Sequence, residues 1–292
     1  MSAPVLSSAP TLRMQMRAVA ERLSLPLRQG LRRTTGNVPG SGAGSSIDFQ
    51  DHRPYVPGDD PRHIDWQAYA RSGHYTMKLY REEVRPLVDI ALDASPSMFL
   101  DEAKSRRALE LANFCLESTL RAGASVRLLS LQGSQVTPHE PMAGWESLEQ
   151  VVPTPSASAE TLPNLAAIPW RPASLRVLVS DLLFPVPPGT VIPLLLSARG
   201  RGIALVPFCA AESDPDWLGN TELLDCETPA RRDLRFSTED LRNYAAAYEN
   251  HFDLWRTEAR RHGIPFARIP AEQEFTAALS AEALTAGAIE FA

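Results

Sequence analysis

Three side chains that bind hard cations follow one short apolar stretch of this chain. Residues 87–92 are almost all apolar, and Asp93, Ser95 and Ser97 come next at intervals of two residues. Such a run is typical of a buried strand in a parallel sheet, and open α/β sheets bind ligands beyond the carboxyl ends of their strands. One carboxylate and two hydroxyls are hard oxygen donors, which suit Mg²⁺ or Mn²⁺ rather than Zn²⁺. The spacing therefore indicates a divalent-cation site in the loop after this strand.

The pattern Asp-x-Ser-x-Ser after a first strand resembles the metal-ion-dependent adhesion site of von Willebrand factor A domains. That resemblance implies a second Asp at the end of the fourth strand. Asp181 fits this role because it follows Ser180 and the apolar run 175–179. The resemblance also implies a third hydroxyl, from a Thr in the loop before that strand, and Thr161 is the preferred candidate because an apolar helical run follows it. Its competitors are Thr154, Ser156 and Ser158.

The resemblance implies a complete metal centre with a protein-binding role. The implied ligands of Mg²⁺, or of Mn²⁺, are Asp93, Ser95, Ser97, Thr161 and Asp181. In this arrangement the hydroxyls ligate directly, the carboxylates ligate or hold waters, and one position stays open for a partner's Asp or Glu. Domains of this kind usually bind partners and do not turn over substrates. The alternative for the same residues is architectural, because Asp and Ser favour helix caps and Asp favours turns at strand ends.

The order of the remaining elements predicts the fold class. A helix is expected over 101–121, where apolar residues recur at helical spacing and Gly123 follows. Further strands are expected at 125–131, 202–208 and 264–269, and further helices at 190–198 and 272–287. Strands that alternate with helices predict an α/β fold with a mostly parallel sheet flanked by helices. The resemblance makes this sheet von Willebrand A-like, which is a Rossmann-like arrangement.

A second motif precedes the first strand. It combines Arg53-x-Tyr55, the string Gly-Asp-Asp-x-Arg-x-Ile-Asp-Trp at 58–66, Ala70-Arg71, and Glu82 or Glu83. Together with Asp-x-Ser-x-Ser-Met at 93–98, this combination resembles the domain of unknown function 58 family. The similarity is close over 40–98 and looser over the remainder of the chain.

This family resemblance implies a domain organisation and a partner. It implies a von Willebrand A-like domain at 86–292, preceded by an N-terminal helical and loop extension at 1–85. Proteins of the family resemble partners of MoxR-type AAA+ ATPases. The main functional hypothesis is therefore a non-enzymatic interaction module that binds an acidic residue of its partner through Mg²⁺, as an adaptor for such an ATPase.

Residues 58–71 also support a function without a metal. Asp60 before Pro61 favours a helix start, since Asp caps helices and Pro suits the first helical position. The charged side chains around it can form a network that either holds the segment in place or presents a docking surface. These side chains are Arg53, Asp59, Asp60, Arg62, Asp65 and Arg71. A metal-independent scaffold that acts through 58–71 is therefore an alternative function.

The familiar enzyme motifs are missing from the sequence. It contains no Gly-x-Ser-x-Gly elbow, no His-Glu-x-x-His, no phosphate loop and no Cys-x-x-Cys. Two carboxylates and a divalent ion can activate water, so a divalent-metal-dependent phosphohydrolase is the enzymatic alternative. The sequence offers no evident general base or cationic phosphate clamp near Asp93 or Asp181. We therefore expect a protein that is not an enzyme.

Composition and charge are those of a globular chain outside the nucleic-acid-binding class. Of its 292 residues 44% are hydrophobic and 22% are charged, and the formal net charge is −6. No stretch reaches the ~20 apolar residues of a transmembrane helix and no signal peptide is recognised, so we expect a cytoplasmic protein. Many relatives in the family carry hydrophobic anchors, and this chain departs from them. Cys115, Cys209 and Cys226 are odd in number and lack metal spacing, which predicts reduced core cysteines.

The first part of the chain is basic and amphipathic. Its arginines are Arg13, Arg17, Arg22, Arg28, Arg32 and Arg33. Apolar residues recur between them at helical spacing, namely Leu12, Met16, Val19 and Leu23. The simplest interpretation is an amphipathic helix lying on the domain, and contact with an acidic partner, an anionic lipid or nucleic acid is the alternative. Lys78 and Lys104 are the only lysines, and the sequence alone assigns neither of them a role.

Overall fold

The computed structural model describes two compact units of the chain. The described residues are 9–27, 47–82, 85–141, 162–226 and 230–292. The first unit contains the described residues of 1–32 and 86–292, and the second contains those of 33–85. The preferred metal ligand Thr161 lies outside the described residues, as do its three competitors.

The helices and strands are numbered in chain order over the described residues. The strands are β1 (Leu23–Ser24), β2 (Ile47–Pro54), β3 (Thr76–Glu82), β4 (Leu87–Asp93), β5 (Ser125–Gln132), β6 (Gln135–His139), β7 (Leu175–Val179), β8 (Arg201–Phe208), β9 (Gly219–Leu224), β10 (Arg231–Phe236), β11 (Phe266–Pro270) and β12 (Glu290–Phe291). The α-helices are α1 (Ala9–Ala20), α2 (Trp66–Ser72), α3 (Glu102–Arg121), α4 (Pro188–Leu196), α5 (Ala210–Ser213), α6 (Thr238–His262) and α7 (Phe275–Glu282). Short 3₁₀ helices cover Pro61–His63, Pro96–Phe99, Leu165–Ala167 and Ser197–Arg199.

A six-stranded sheet forms the centre of the first unit, in the order β11-β8-β7-β4-β5-β6. Neighbouring strands are parallel except for the edge strand β6, which pairs antiparallel with β5. Strand β4 lies between β7 and β5, with Leu92 opposite Val179 on one side and Asp93 opposite Leu131 on the other. The carboxyl ends of these three strands therefore meet at one edge of the sheet.

Helices cover both faces of this sheet. Successive residues of β4 point to opposite faces, so Ile90 and Leu92 lie in one core cluster and Ala91 lies in the other. The first cluster includes buried side chains of α1, α3 and α7, and the second includes those of α4 and α6. These findings confirm the predicted α/β class with a mostly parallel sheet flanked by helices.

The N-terminal helix α1 belongs to the first unit. Met16 and Ala20 are buried in the same cluster as the apolar side chains of α3, and Arg13 Nε lies 2.8 Å from Glu117 Oε1 of α3. This packing confirms the amphipathic helix predicted from the apolar spacing. It differs from the predicted grouping of residues 1–85 as one extension, because the apolar stripe of α1 is buried against α3 of the main unit.

The second unit contains an antiparallel β2–β3 ribbon and two short helices. Asp60 accepts the backbone N–H of Arg62 and precedes Pro61, as predicted for a helix start. The helix that begins there is only the three-residue 3₁₀ turn. Ile64 is extended and ends that turn.

Helix α2 begins separately after Asp65. The Asp65 carboxylate accepts the backbone N–H groups of Gln67 and Ala68, and it also lies 2.7 Å from His52 Nε2. Arg53 binds Asp59 through both terminal nitrogens, each at 2.6 Å. Charge-assisted pairs of this kind are strong and directional. The predicted network therefore consists in part of separate pairs, each joining residues that are close together in the chain.

Two findings bear on the expectations drawn from composition. Among the described residues, none of the helices has the length and apolarity needed to cross a membrane. Cys115 and Cys209 are buried and Cys226 is half-buried, and none of the three is in a disulfide. Cys226 therefore differs from the prediction of a core cysteine.

The amino-terminal edge of the sheet is held together by one buried carboxylate. Asp89 of β4 is fully buried, and its oxygens accept hydrogen bonds from Arg127 Nε at 2.9 Å, Arg171 Nε at 2.6 Å and Ser174 Oγ at 3.1 Å. Although burial raises the pKa of Asp89, the two guanidinium groups hold it below its usual value. Asp89 therefore joins β4, β5 and the segment before β7.

We expect Asp89→Asn to lower the free energy of unfolding by about 3 kcal/mol, because it leaves two partly buried guanidinium groups without their counter-charge. Urea denaturation of the purified protein measures this change. The control is Glu222→Gln, which removes an exposed ion pair with Arg231 and should change stability by less than about 0.5 kcal/mol. Equal effects of the two variants would contradict a special role for Asp89.

Candidate functional site

Asp93 ends β4 at the carboxyl edge of the sheet and is 1% exposed. Its Oδ1 accepts the backbone N–H of Ser95 at 2.9 Å, and its Oδ2 accepts the hydroxyl of Ser180 at 2.7 Å. The second bond reaches across to the segment after β7. The parallel register thus brings the two predicted strand ends into direct contact.

Ser95 and Ser97 present two adjacent hydroxyls beside Asp93. Their Oγ atoms are 3.1 Å apart, with Ser95 buried and Ser97 half-buried. Ser95 precedes the 3₁₀ turn Pro96–Phe99 without a side-chain capping bond, and Asp101 caps α3 instead. The prediction that Asp93 or Ser97 caps the following helix is therefore wrong. The hydrogen bonds of Asp93 to Ser95 and Ser180 are compatible with the remainder of the architectural alternative.

Asp181 lies next to this loop but is already paired. The backbone N–H of Asp181 lies 3.1 Å from the sulfur of Met98, which places it against the loop after β4. Its Oδ2 lies 2.6 Å from Lys104 Nζ, and its Oδ1 accepts the backbone N–H of Leu183 at 3.1 Å. The acid is 2% exposed.

Sequence reasoning missed two charged members of the site. Lys104, in the first turn of α3, has a side chain only 3% exposed, and its Nζ also lies 2.6 Å from Oε1 of Glu212. Glu212 lies on α5, directly after β8. The one available signal for Lys104 was composition, because it is one of only two lysines among 29 basic residues. Glu212 gave no signal, since a single Glu on a short helix is common.

The pKa values of these groups reflect burial and crowding of like charges. Burial and, to a smaller extent, the charge of Asp181 raise the pKa of Asp93 to about 6, although hydrogen bonds from Ser180 and Ser95 act to lower it. Burial also raises the pKa of Glu212. Although burial acts to lower the pKa of Lys104, the charges of Asp181 and Glu212 raise it. Lys104 therefore stays protonated, whereas the ionised form of Asp93 is disfavoured and a cation placed nearby would favour it.

The turn after β7 has a strained backbone. Leu182 has φ +57°, which is unusual for a residue other than glycine, and its side chain is fully buried. Its N–H donates to Ser180 Oγ at 3.1 Å, and its carbonyl oxygen lies 2.8 Å from His251 Nε2 of α6. His251 thus contacts this turn from α6.

The arrangement fits a hard cation bound mainly by the hydroxyl groups of Ser95 and Ser97. Two cis ligands of an octahedral Mg²⁺ at 2.0–2.1 Å are about 2.9 Å apart, close to the separation of the two serine hydroxyls. Asp93 lies behind these hydroxyls as a counter-charge. Asp181 fits less well as a direct ligand because Lys104 engages it. Within the ranges described, no three His, Cys, Asp or Glu side chains form a group that could hold a metal.

We expect Asp93→Asn to stabilise the protein when divalent ions are removed with EDTA. The folded-state pKa of Asp93 lies above the usual 3.8, at about 6, so its ionised form weakens the fold as pH rises through this range. That shift corresponds to ~3 kcal/mol, and the Asn loses one acceptor for Ser180, which costs about 1 kcal/mol. The expected gain is therefore about 2 kcal/mol at pH 7.5.

Urea denaturation at pH 7.5 and at pH 5 tests this expectation, because protonated Asp93 and Asn are nearly equivalent and the gain should shrink at pH 5. Asp253→Asn, which alters an exposed carboxylate paired with Arg256, is the matched control and should show no such pH dependence. An Asp93→Asn variant that is destabilised equally at both pH values would contradict the assignment.

Comparisons with known proteins give the family. The family model described as Protein of unknown function DUF58 matches residues 51–253. Two similar proteins are Uncharacterized protein Mb1516 of Mycobacterium bovis and Uncharacterized protein Rv1480 of Mycobacterium tuberculosis, each 25% identical over 257 residues, or 83% of this chain and 79% of theirs. A solved structure, of conserved hypothetical protein BatB from Bacteroides thetaiotaomicron, is 13% identical with a TM-score of 0.37, over 69% of this chain and 98% of that one. Because the family model covers more than half of the residues, this chain belongs to the DUF58 family.

Proposed function

We propose that this protein is a non-enzymatic interaction module that binds an acidic side chain of a partner through Mg²⁺ or Mn²⁺ at Asp93, Ser95 and Ser97. The observation that carries the proposal is the pair of serine hydroxyls 3.1 Å apart at the carboxyl edge of the sheet, with the buried Asp93 behind them. The proposal includes a von Willebrand A-like fold with a metal-ion-dependent adhesion site. Thr161 is the proposed third hydroxyl.

The roles of the residues follow from their contacts. Ser95 and Ser97 would hold the cation, and Asp93 would supply its counter-charge while the hydroxyl of Ser180 fixes the orientation of that carboxylate. When bound, Mg²⁺ supplies a hard Lewis-acidic centre whose remaining positions take water or a carboxylate. A partner's Asp or Glu is the group that such a centre prefers.

The surroundings of the site favour binding to a protein surface. Leu100 follows Ser97 by three residues and is 69% exposed, and Leu183 follows Asp181 by two residues and is 40% exposed. Burial of these two apolar side chains against a partner would add a favourable hydrophobic contribution to binding at the cation. We propose that the partner offers an acidic residue flanked by apolar side chains. The family resemblance makes a MoxR-type AAA+ ATPase the partner we propose, with this protein as its adaptor.

A second candidate function is favoured by an aromatic cluster in the second unit. Trp66 is 59% exposed and Tyr75 is 49% exposed. Tyr69 stacks on Tyr75 with ring centroids 4.5 Å apart, and Trp66 meets both rings edge-on. Trp, Tyr and Arg are the residues most often found at the energetic centres of protein interfaces. A metal-independent scaffold that acts through residues 58–71 would use this surface.

We expect binding of a purified MoxR-type ATPase from the source cell to weaken at least about tenfold in EDTA, and equally in the double variant Ser95→Ala/Ser97→Ala with Mg²⁺ present. Loss of the two hydroxyls removes the proposed direct ligands. Biolayer interferometry measures the affinities. Ser125→Ala is the matched control, because it removes an exposed hydroxyl at the opposite edge of the sheet.

The same measurement separates the two candidate functions. Binding that ignores EDTA and the serine variants, but is lost in Trp66→Ala or Arg62→Ala, would reject the metal-dependent module in favour of the scaffold. Binding that ignores all of these changes would reject both.

A further inference from the structure

Three carboxylates converge at the carboxyl edge of the sheet in the first unit. Asp93 ends β4, Asp181 follows β7, and Glu212 lies on the short helix after β8. These three strands are neighbours in the sheet. Carboxylates at such an edge hold two divalent cations close together in many hydrolytic sites. These three, as they are placed here, do not form a group that could hold a metal.

The ammonium of Lys104 lies inside this group. Its nitrogen is 2.6 Å from Asp181 Oδ2 and 2.6 Å from Glu212 Oε1, and its side chain is almost completely buried. Two contacts this short bring one positive charge against two negative charges in a water-poor environment, where the attraction is large. A second cation at the same place would meet strong repulsion from the ammonium.

Neighbouring side chains hold Glu212 toward Lys104. The hydroxyl of Tyr248 on α6 lies 3.5 Å from Glu212 Oε2, and Arg268 Nη2 of β11 donates to that hydroxyl at 2.5 Å. The guanidinium of Arg268 in turn lies over the rings of Phe208 and Phe252, at 4.2 and 3.9 Å from their centroids. The half-buried Glu212 carboxylate thus has a long hydrogen bond from Tyr248 in addition to its short contact with Lys104.

We propose that Lys104 is a built-in cation that restricts this centre to one divalent ion, on the side of Asp93, Ser95 and Ser97. The proposal rests on the proposed function for the identity of that one site. It makes Lys104 a specificity-determining residue, because a centre limited to one divalent ion lacks the second metal with which binuclear sites activate water. The protein is then suited to bind a carboxylate rather than to hydrolyse a phosphate ester.

The residue type agrees with this role. Lysine has a compact ammonium with three donors on a flexible stem, whereas arginine has a larger planar fork. In a chain that uses arginine for nearly all of its 29 basic residues, a buried lysine between two carboxylates is a departure from the prevailing choice. A compact cation is what the position between Asp181 and Glu212 requires.

The test is a titration with Mn²⁺ alone, read by electron paramagnetic resonance as the number of bound ions. In Lys104→Met the two carboxylates lose their counter-charge, so they should bind Mn²⁺ about 10- to 100-fold more tightly than in the native protein. This additional site should persist in the triple variant Lys104→Met/Ser95→Ala/Ser97→Ala and disappear when Asp181→Asn is added. Lys104→Arg keeps the charge and should gain no site.

The outcomes separate this inference from the proposed function. If the triple variant binds no Mn²⁺, the role of Lys104 is rejected, whatever the native protein binds. If the native protein shows no Mn²⁺ site that depends on Ser95 and Ser97, the proposed function is rejected, while an added site in Lys104→Met still supports the role of Lys104.

A second variant protects the test against misfolding of Lys104→Met. Lys104→Met/Glu212→Gln removes one of the two freed carboxylates and leaves Asp181 without a counter-charge beside Asp93, so it is less disruptive. Its melting temperature should rise with added Mn²⁺ by more than that of Lys104→Arg, and an equal rise in both would overturn the inference.

Discussion

Parallel pairing of β4 with both of its neighbours determines where the polar groups of the first unit lie. Because β5 and β7 run in the same direction as β4, their amino ends share one edge and their carboxyl ends share the other. Asp89, at the third position of β4, and Asp93, at its last position, therefore lie at opposite edges of the sheet. The two edges differ in chemistry because Asp89 and Asp93 meet different partners there.

The balance of buried charge differs between the two edges of the sheet. At the amino edge, Asp89 faces two arginines, and its oxygens also accept the backbone N–H of Arg171 and the hydroxyl of Ser174. At the carboxyl edge, Asp181 and Glu212 share the ammonium of Lys104, and Asp93 lies beside them. The excess of negative charge is concentrated on Asp93, whose polar partners are a hydroxyl and a backbone N–H. Such an excess is costly unless a cation is supplied, and this is the physical basis of the candidate site.

The spacing of apolar residues in the sequence predicted those helices and strands that are determined by residues close together in the chain. The apolar run before Asp93 predicted β4, and the helical spacing of Met16 with its neighbours predicted α1 on the core. Lys104 escaped prediction because its partner Asp181 lies 77 residues away along the chain, and no periodicity encodes a contact of that kind. In the second unit, Asp60 caps the 3₁₀ turn and Asp65 caps α2 separately. Both are residues that favour helix caps, so the signal at Asp60 alone did not show where α2 begins.

The turn at Leu182 links hydrophobic packing to the acid beside it. A leucine at φ +57° has an unfavourable backbone, and burial of its side chain together with the contact from His251 keeps it there. Asp181 is the preceding residue, so the direction of its carboxylate is set by the same peptide units. The second core cluster, which contains Leu182 and Trp255, thus acts as a mechanical support for an electrostatic contact. Substitutions in that apolar cluster would alter the distance between Asp181 and Lys104 even where they touch no charged group. The geometry of the ion pair therefore depends on the packing of the core.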